Sequence, residues 1–274
     1  MSSQLSPKRE DLEKTTRSVF KKQGTSPQKR LGQNFLINQQ VLQDIIRASE
    51  IKSTDRILEI GAGSGILTEA LIKKASSIIA LEKDPILANL LKKKFSGAKV
   101  DIINEDARDF LHRKTDWRGY KIVANLPFYL TSPLLLNLLS LKKHPSLIVV
   151  MIQKEVAERI CAKPPKSNRL ATICQFYGDC QIIREVKASD FWPKPKVNAA
   201  IIKITPSGDV LSEENLKLIN ASFASPRKTL LNNLSAHYRI DRNLLAKLGF
   251  APKIRAGELN KEQWLKLQKL FSQL

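Results

Sequence analysis

Five short apolar runs alternate with helical segments through the middle of this chain: Ile57–Ile60, Ile78–Leu81, Val100–Ile103, Ile122–Ala124 and Leu147–Ile152. They are rich in β-branched residues and too short for buried helices, so they read as strands. Helical segments lie around Leu67–Lys74, Pro85–Phe95 and Pro133–Lys142, and another follows at Lys154–Cys161. Upstream, Val41, Leu42, Ile45 and Ile46 share one helix face. Alternation of this kind predicts a parallel sheet with helices on both faces. Gln181–Val186 and Ala199–Ile204 flank a proline-rich loop, Phe191–Val197, and can close that sheet with an antiparallel edge.

The pattern breaks at Thr205–Gly208. Beyond it only helical periodicities remain: Leu216, Ile219 and Phe223, then Leu230, Leu231 and Leu234, then Leu244, Leu245 and Leu248. A small all-helical domain is expected over residues 208–274, after an α/β domain over 29–207. Residues 1–28 form a basic extension in which Ser6-Pro7 suits a helix start. Its sparse apolar positions, Leu12, Val19 and Phe20, predict a short, weakly docked helix and then a loop, Gln23 to Gln28.

Lys and Arg total 46 against 26 for Asp and Glu, a formal charge of +20. A surface this basic repels itself unless a polyanion offsets it, which points to nucleic acid or an anionic membrane. No apolar run approaches the ~20 residues of a membrane span. The N-terminal stretch lacks an apolar signal core, so a cytoplasmic location is expected. Cys161, Cys174 and Cys180 form no CxxC pair and read as free or buried thiols. His112, His144 and His237 are scattered, and no metal site is expected.

Gly61-Ala62-Gly63-Ser64-Gly65 follows the first strand and precedes a helix. Glycines let the chain turn sharply and let a ligand approach the backbone. Glu82 ends the next strand, where a carboxylate can accept both ribose hydroxyls of a nucleoside cofactor. The spacing fits NAD and S-adenosylmethionine alike. The pattern is GxGxG rather than GxGxxG, however, and S-adenosylmethionine has no pyrophosphate to cradle. Asp106, just past the third strand, can accept the N6 amine of the cofactor's adenine or cap a helix.

Asn125-Leu126-Pro127-Phe128 ends the fourth strand. An adenine N6 amine is a poor nucleophile because its lone pair is delocalised into the ring. The side-chain oxygen of Asn125 and the carbonyl of Leu126 can each accept one N6 hydrogen and free that lone pair for attack on a methyl sulfonium. Pro127 stiffens the turn. Phe128 offers a face for the base, worth roughly 1–3 kcal/mol. Catalysis by such a site is mostly positioning and hydrogen bonding.

Together these motifs resemble the ribosomal RNA adenine N6,N6-dimethyltransferase family, from Arg30 to about Leu234. The match includes Lys29–Leu36, the glycine turn, Glu82, Asp106, Asn125–Phe128 and the Phe191–Val197 loop. The resemblance implies a Rossmann-like class I S-adenosylmethionine-dependent methyltransferase domain with a small C-terminal helical domain. It implies that Gln33, Asn34 and Leu36 close over the cofactor. Gly61, Gly63, Glu82, Asp106 and Asn125 then contact it or sit between it and the target base, and Phe191 stacks on that base opposite Phe128. The family usually has tyrosine where Phe128 stands; stacking survives the change. Phe223–Leu234 resembles the family's C-terminal signature, with Pro226 where a further basic residue is common. Arg227 and Lys228, with Lys163, Lys166, Lys194 and Lys196, are candidate phosphate contacts.

The expected activity is dimethylation of N6 on two adjacent adenosines in the 3′-terminal hairpin loop of 16S rRNA, within an immature 30S subunit, by a monomer. Three other readings remain open: the related large-subunit dimethyltransferase of the macrolide-resistance type, a non-catalytic ribosome assembly factor, and an NAD-dependent oxidoreductase.

Overall fold

The computed structural model describes residues 9–114, 116–128, 131–139, 141, 143–207, 211–240 and 243–272. In chain order the elements are α1 (Arg9–Lys22), β1 (Phe35–Leu36), α2 (Gln39–Ala48), β2 (Arg56–Ile60), α3 (Ile66–Ile72), β3 (Ser77–Leu81), α4 (Pro85–Lys94), β4 (Val100–Ile103), α5 (Ala107–Arg113) and β5 (Tyr120–Asn125). There follow α6 (Thr131–Leu139), β6 (Leu147–Gln153), α7 (Lys154–Ile160), α8 (Arg169–Tyr177), β7 (Gly178–Val186), β8 (Phe191–Trp192), β9 (Ala199–Pro206), α9 (Glu213–Ser222), α10 (Leu230–Ser235), α11 (Leu244–Lys247) and α12 (Lys261–Phe271).

The main sheet has seven strands in the order β4-β3-β2-β5-β6-β9-β7. β2, β3, β4, β5 and β6 pair in parallel, and β9 runs antiparallel to β6. β6 is buried from Leu147 to Ile152, as a strand covered on both faces must be. The helices begin where the sequence provides caps. Asn38, Asp84 and Asp106 each accept backbone amides at the starts of α2, α4 and α5, and Pro85 opens α4.

The order reverses at β2: β3 and β4 lie on one side of it, β5 and β6 on the other. In open parallel sheets the crevice at the carboxyl ends of the strands flanking such a reversal takes ligands. β2 runs there into Gly61 and β5 ends there at Asn125. A Cβ built on Gly61 would lie 3.4 Å from the Asn125 carbonyl, so the two strand ends are neighbours.

The chain divides into two compact units. The first comprises residues up to Ala157 with Gln181–Thr205; the second comprises Glu158–Cys180 with Pro206–Leu274. The chain passes from the first unit to the second for the last time between Thr205 and Pro206. Glu158–Cys180, however, which the sequence reading kept in the α/β part, packs with the C-terminal helices. The reason is α8, whose Leu170, Ile173, Phe176 and Tyr177 are buried in the second unit beside Leu218, Ile219, Leu230, Trp264 and Leu267. In the same unit Cys161 and Cys180 lie with their sulfurs 2.6 Å apart, and all three cysteines are free thiols.

The first helix also differs from expectation. α1 buries Leu12, Thr16, Val19 and Phe20 on one face of the first unit, so its few apolar residues dock firmly rather than weakly. The Ser6-Pro7 start lies outside the described residues. Among the described residues no helix is long and apolar enough to cross a membrane.

Candidate active site

The carboxyl ends of β2, β3 and β5 open onto one cleft. Its lining includes Gln33, Asn34, Leu36, Gly61, Gly63, Glu82, Asp106, Asn125, Leu126 and Phe128. The glycine turn forms its floor. Gly61 and Ala62 both donate to the Leu81 carbonyl, at 2.9 and 3.0 Å, which folds the turn back over β3. Gly63 has φ +57°, and a Cβ there would meet the Phe35 ring at 3.0 Å. The missing side chain therefore lets the Phe35 ring close on the turn.

Gly65 ends the turn with φ +78°, and a Cβ there would come within 2.6 Å of Leu91 Cδ2 and 3.0 Å of the Phe95 ring. Gly97 has the same φ with nothing within 4 Å. Gly65→Ala is thus expected to destabilise the fold by about 2–4 kcal/mol and Gly97→Ala by about 1 kcal/mol. Urea unfolding of the two variants checks this; equal losses would mean that Leu91 and Phe95 yield without cost.

Glu82 is buried, and burial raises its pKa above the usual carboxylate range. Its two oxygens accept from the amides of Gly63 (2.7 Å) and Asp84 (2.8 Å), so it ties the glycine turn to the end of β3. A carboxylate offers about four acceptor positions, so two remain for a ligand's hydroxyls.

Asp106 is more heavily committed. It accepts from the Arg108 amide (2.9 Å) and from Arg108 Nε (3.1 Å) and Nη2 (2.9 Å), and pairs with Lys83 Nζ at 3.0 Å. The Arg108 guanidinium holds this carboxyl well below its usual range. All its acceptor positions are filled, so an adenine amine can bond to the side chain only by displacing Lys83 or Arg108. Both are about half exposed, and exposed ion pairs of this kind contribute only ~0–1 kcal/mol.

Asn125 donates through Nδ2 to the Asn34 carbonyl at 3.3 Å. That leaves Oδ1 as its acceptor. The Leu126 amide donates to the Met151 carbonyl at 3.0 Å, anchoring the turn to β6. Gln33 uses its side chain within the protein: Oε1 accepts from the Gln28 amide (2.7 Å) and Nε2 donates to Asp84 (2.9 Å). Its observed work is to hold the 28–34 loop across the cleft. Leu36 pairs with Phe191, and Phe35 with Trp192, in a separate two-stranded ladder of β1 and β8.

Phe128 and Phe191 are 6.4 Å apart between ring centroids but inclined at 70°, edge to face. Phe191 is 2% exposed. A base sandwiched between two rings needs them parallel, so Phe191 does not present a second open face in this arrangement. Lys194 and Lys196 are exposed in the first unit; Lys163, Lys166, Arg227 and Lys228 are exposed in the second. Arg227 and Lys228 sit on a turn fixed by buried Asn233, which donates to the Ser222 and Ser225 carbonyls at 2.9 and 3.0 Å and accepts from the Ser225 amide at 3.0 Å. Among the described residues no three His, Cys, Asp or Glu side chains are grouped as metal ligands.

Sequence reasoning missed several lining residues. Leu42, Ile45 and Leu87 carried only a helical periodicity, which does not separate core from cleft wall; Phe35 lay unremarked inside the Lys29–Leu36 stretch. Lys83 followed Glu82 directly and carried no signal of its bond to Asp106.

A parallel sheet whose glycine turn and strand-end acid frame such a cleft, beside an Asn-Leu-Pro-Phe turn, has the fold of the class I methyltransferases. Residues 24–273 match the ribosomal RNA adenine dimethylase family. A ribosomal RNA small subunit methyltransferase A from Dehalococcoides mccartyi is 39% identical over 254 residues, 87% of this chain and 86% of that protein. A dimethyladenosine transferase from Plasmodium falciparum superposes with a TM-score of 0.72 at 28% identity, covering 87% of this chain and 98% of that one. The 23S rRNA methyltransferase ErmE shares the fold, with a TM-score of 0.70 at 24% identity over 86% of this chain and 98% of its own. The chain belongs to the ribosomal RNA adenine dimethylase family.

Proposed function

We propose that this protein transfers methyl groups from S-adenosylmethionine to N6 of two adjacent adenosines in the 3′-terminal hairpin loop of 16S rRNA, acting as a cytoplasmic monomer on an immature 30S subunit. The observation that carries the reading is the neighbouring pair of strand ends: a glycine turn with Glu82 on one, and Asn125-Leu126-Pro127-Phe128 on the other.

The residues present fit the cofactor. Glu82 keeps spare acceptor capacity beside the glycine turn, and Leu81 and Ala107 add apolar lining to the same cleft. When bound, S-adenosylmethionine supplies an electrophilic methyl group on a sulfonium. Glu82 accepts the ribose hydroxyls, and Asp106 accepts the adenine amine in place of Lys83 or Arg108. Gln33 and Asn34 hold the loop that covers the site, with Leu36 supplying apolar wall. Asn125 Oδ1 and the Leu126 carbonyl accept the two N6 hydrogens of the target, turning its lone pair out of conjugation. The target adenosine leaves its stack to reach them. Phe128 stacks on the base, and Phe191 backs Phe128, turning its own face in only when the base enters. Arg227, Lys228, Lys194 and Lys196 take phosphates.

The small-subunit target is favoured over the large by the names of the relatives at 34–39% identity. Incubation with methyl-labelled cofactor and immature small subunits, followed by nucleoside mapping, tests the whole reading. N6,N6-dimethyladenosine at two adjacent positions near the 3′ end is expected. Label confined to large-subunit rRNA would overturn the choice of target, and no transfer to either would favour an assembly factor that only binds.

A further inference from the structure

We infer that α1, through Phe20, is a positioning element for the cofactor cleft. It holds the β1–β8 ladder, and with it Phe35, against the glycine turn. The inference rests on the functional reading above and deepens it. α1 precedes residues 24–273, which define the family match, so that match assigns it no role.

The argument begins with the ladder. β1 and β8 pair only Phe35 with Trp192 and Leu36 with Phe191, and they stand apart from the main sheet. So short a two-stranded ladder is not stable alone and needs side-chain packing. Phe20 supplies it from the far side. Its ring, 3% exposed, lies 5.1 Å from Phe35 and 5.5 Å, edge on, from Trp192. Arg17, one turn earlier on α1, places its guanidinium 4.6 Å over the Trp192 ring. Val19, Phe20, Phe35 and Leu87 form one buried cluster, and both Phe35 and Leu87 line the cleft. Phe35 in turn lies 3.0 Å from the place a Cβ on Gly63 would occupy. A chain of contacts therefore runs from Phe20 through Phe35 to the turn that receives the cofactor, and from Phe20 to Trp192, the residue beside Phe191.

Removing the Phe20 ring leaves a cavity behind Phe35. Phe35 then relaxes away from Gly63, and the wall of the cleft loses its fixed shape. Leu218 is the control: it is 2% exposed, belongs to the second unit, and neither lines the cleft nor shares a buried cluster with Phe20 and Phe35.

The test compares the full chain with Phe20→Ala, Phe20→Leu and Leu218→Ala, using calorimetric titration with S-adenosylhomocysteine and amide hydrogen exchange. Phe20→Ala should weaken binding about tenfold or more, Phe20→Leu about threefold, and Leu218→Ala less than about twofold at a comparable loss of thermal stability. Exchange at the Ile37, Gly61 and Ala62 amides should rise in Phe20→Ala and stay near wild type in Leu218→Ala. If Phe20→Ala does not fold, Phe20→Leu carries the comparison. Binding by Phe20→Ala within about twofold of wild type would overturn the inference. A wild-type chain that binds no S-adenosylhomocysteine would instead defeat the functional reading, and the exchange pattern would then decide the brace by itself.

Discussion

Asn125→Ala is expected to lower kcat for methyl transfer by about 10²–10³-fold while changing the KM for RNA less than about threefold. The reasoning is geometric. Nδ2 of Asn125 is spent on the Asn34 carbonyl, so Oδ1 is the acceptor left for an N6 hydrogen. Alanine removes that acceptor and unties Asn34 as well, while the exposed cations proposed to hold phosphate are untouched. The Leu126 carbonyl is retained, because its own amide remains bonded to Met151. Some residual transfer is therefore expected rather than none. Asn125→Asp restores an acceptor but loses the donor to Asn34, and should fall between alanine and wild type. Single-turnover rates with saturating cofactor read the chemical step. An alanine variant with unimpaired transfer would remove Asn125 from the mechanism.

The second large effect concerns stability. Glu59 lies within β2, fully buried, and no hydrogen bond of ordinary geometry reaches either of its carboxyl oxygens. Burial is the main cause that pushes its pKa up to about 8; Thr68 opposes the shift in part, and the charge of Glu82 adds to it. The folded protein thus keeps a proton that the unfolded chain releases. Between the ordinary value of 4.5 and about 8 the unfolded state binds fewer protons, so stability falls as pH rises through that window. At about 1.4 kcal/mol per pH unit, the full window is worth at most about 5 kcal/mol. Glu59→Gln removes the titration and leaves an amide whose own burial costs about 1–3 kcal/mol at every pH. Near pH 5 the wild type should be the more stable, and by pH 8 the variant should equal or exceed it. Urea unfolding at several pH values measures the crossing; parallel stability curves would show that Glu59 ionises without penalty in the fold.

Much of the fold was legible because its signals are local. A strand running into Gly61–Gly65, an acid at the end of the next strand and Asn125–Phe128 at the end of another are each contained in a few consecutive residues. The alternation of strands and helices then brings their carboxyl ends together at the reversal of strand order. The helix starts at Asn38, Asp84 and Asp106 belong to the same local grammar. α8 escaped because its apolar residues belong to a core built by helices about forty to ninety positions later, and a periodicity does not say which core it serves.

What the sequence by itself determined was the set of chemical groups and the strand ends that carry them. The tertiary structure alone decided how committed those groups are. Asp106 is saturated by Arg108 and by Lys83, which comes from another strand end. Gln33 is tied to Asp84 across the loop. Phe191 is turned edge-on to Phe128 and buried behind it, and a helix outside the matched family segment braces the cleft through Phe20. Each of these depends on contacts between residues far apart in the chain. Spacing along a sequence reports which face a side chain occupies, but only packing determines what it touches there.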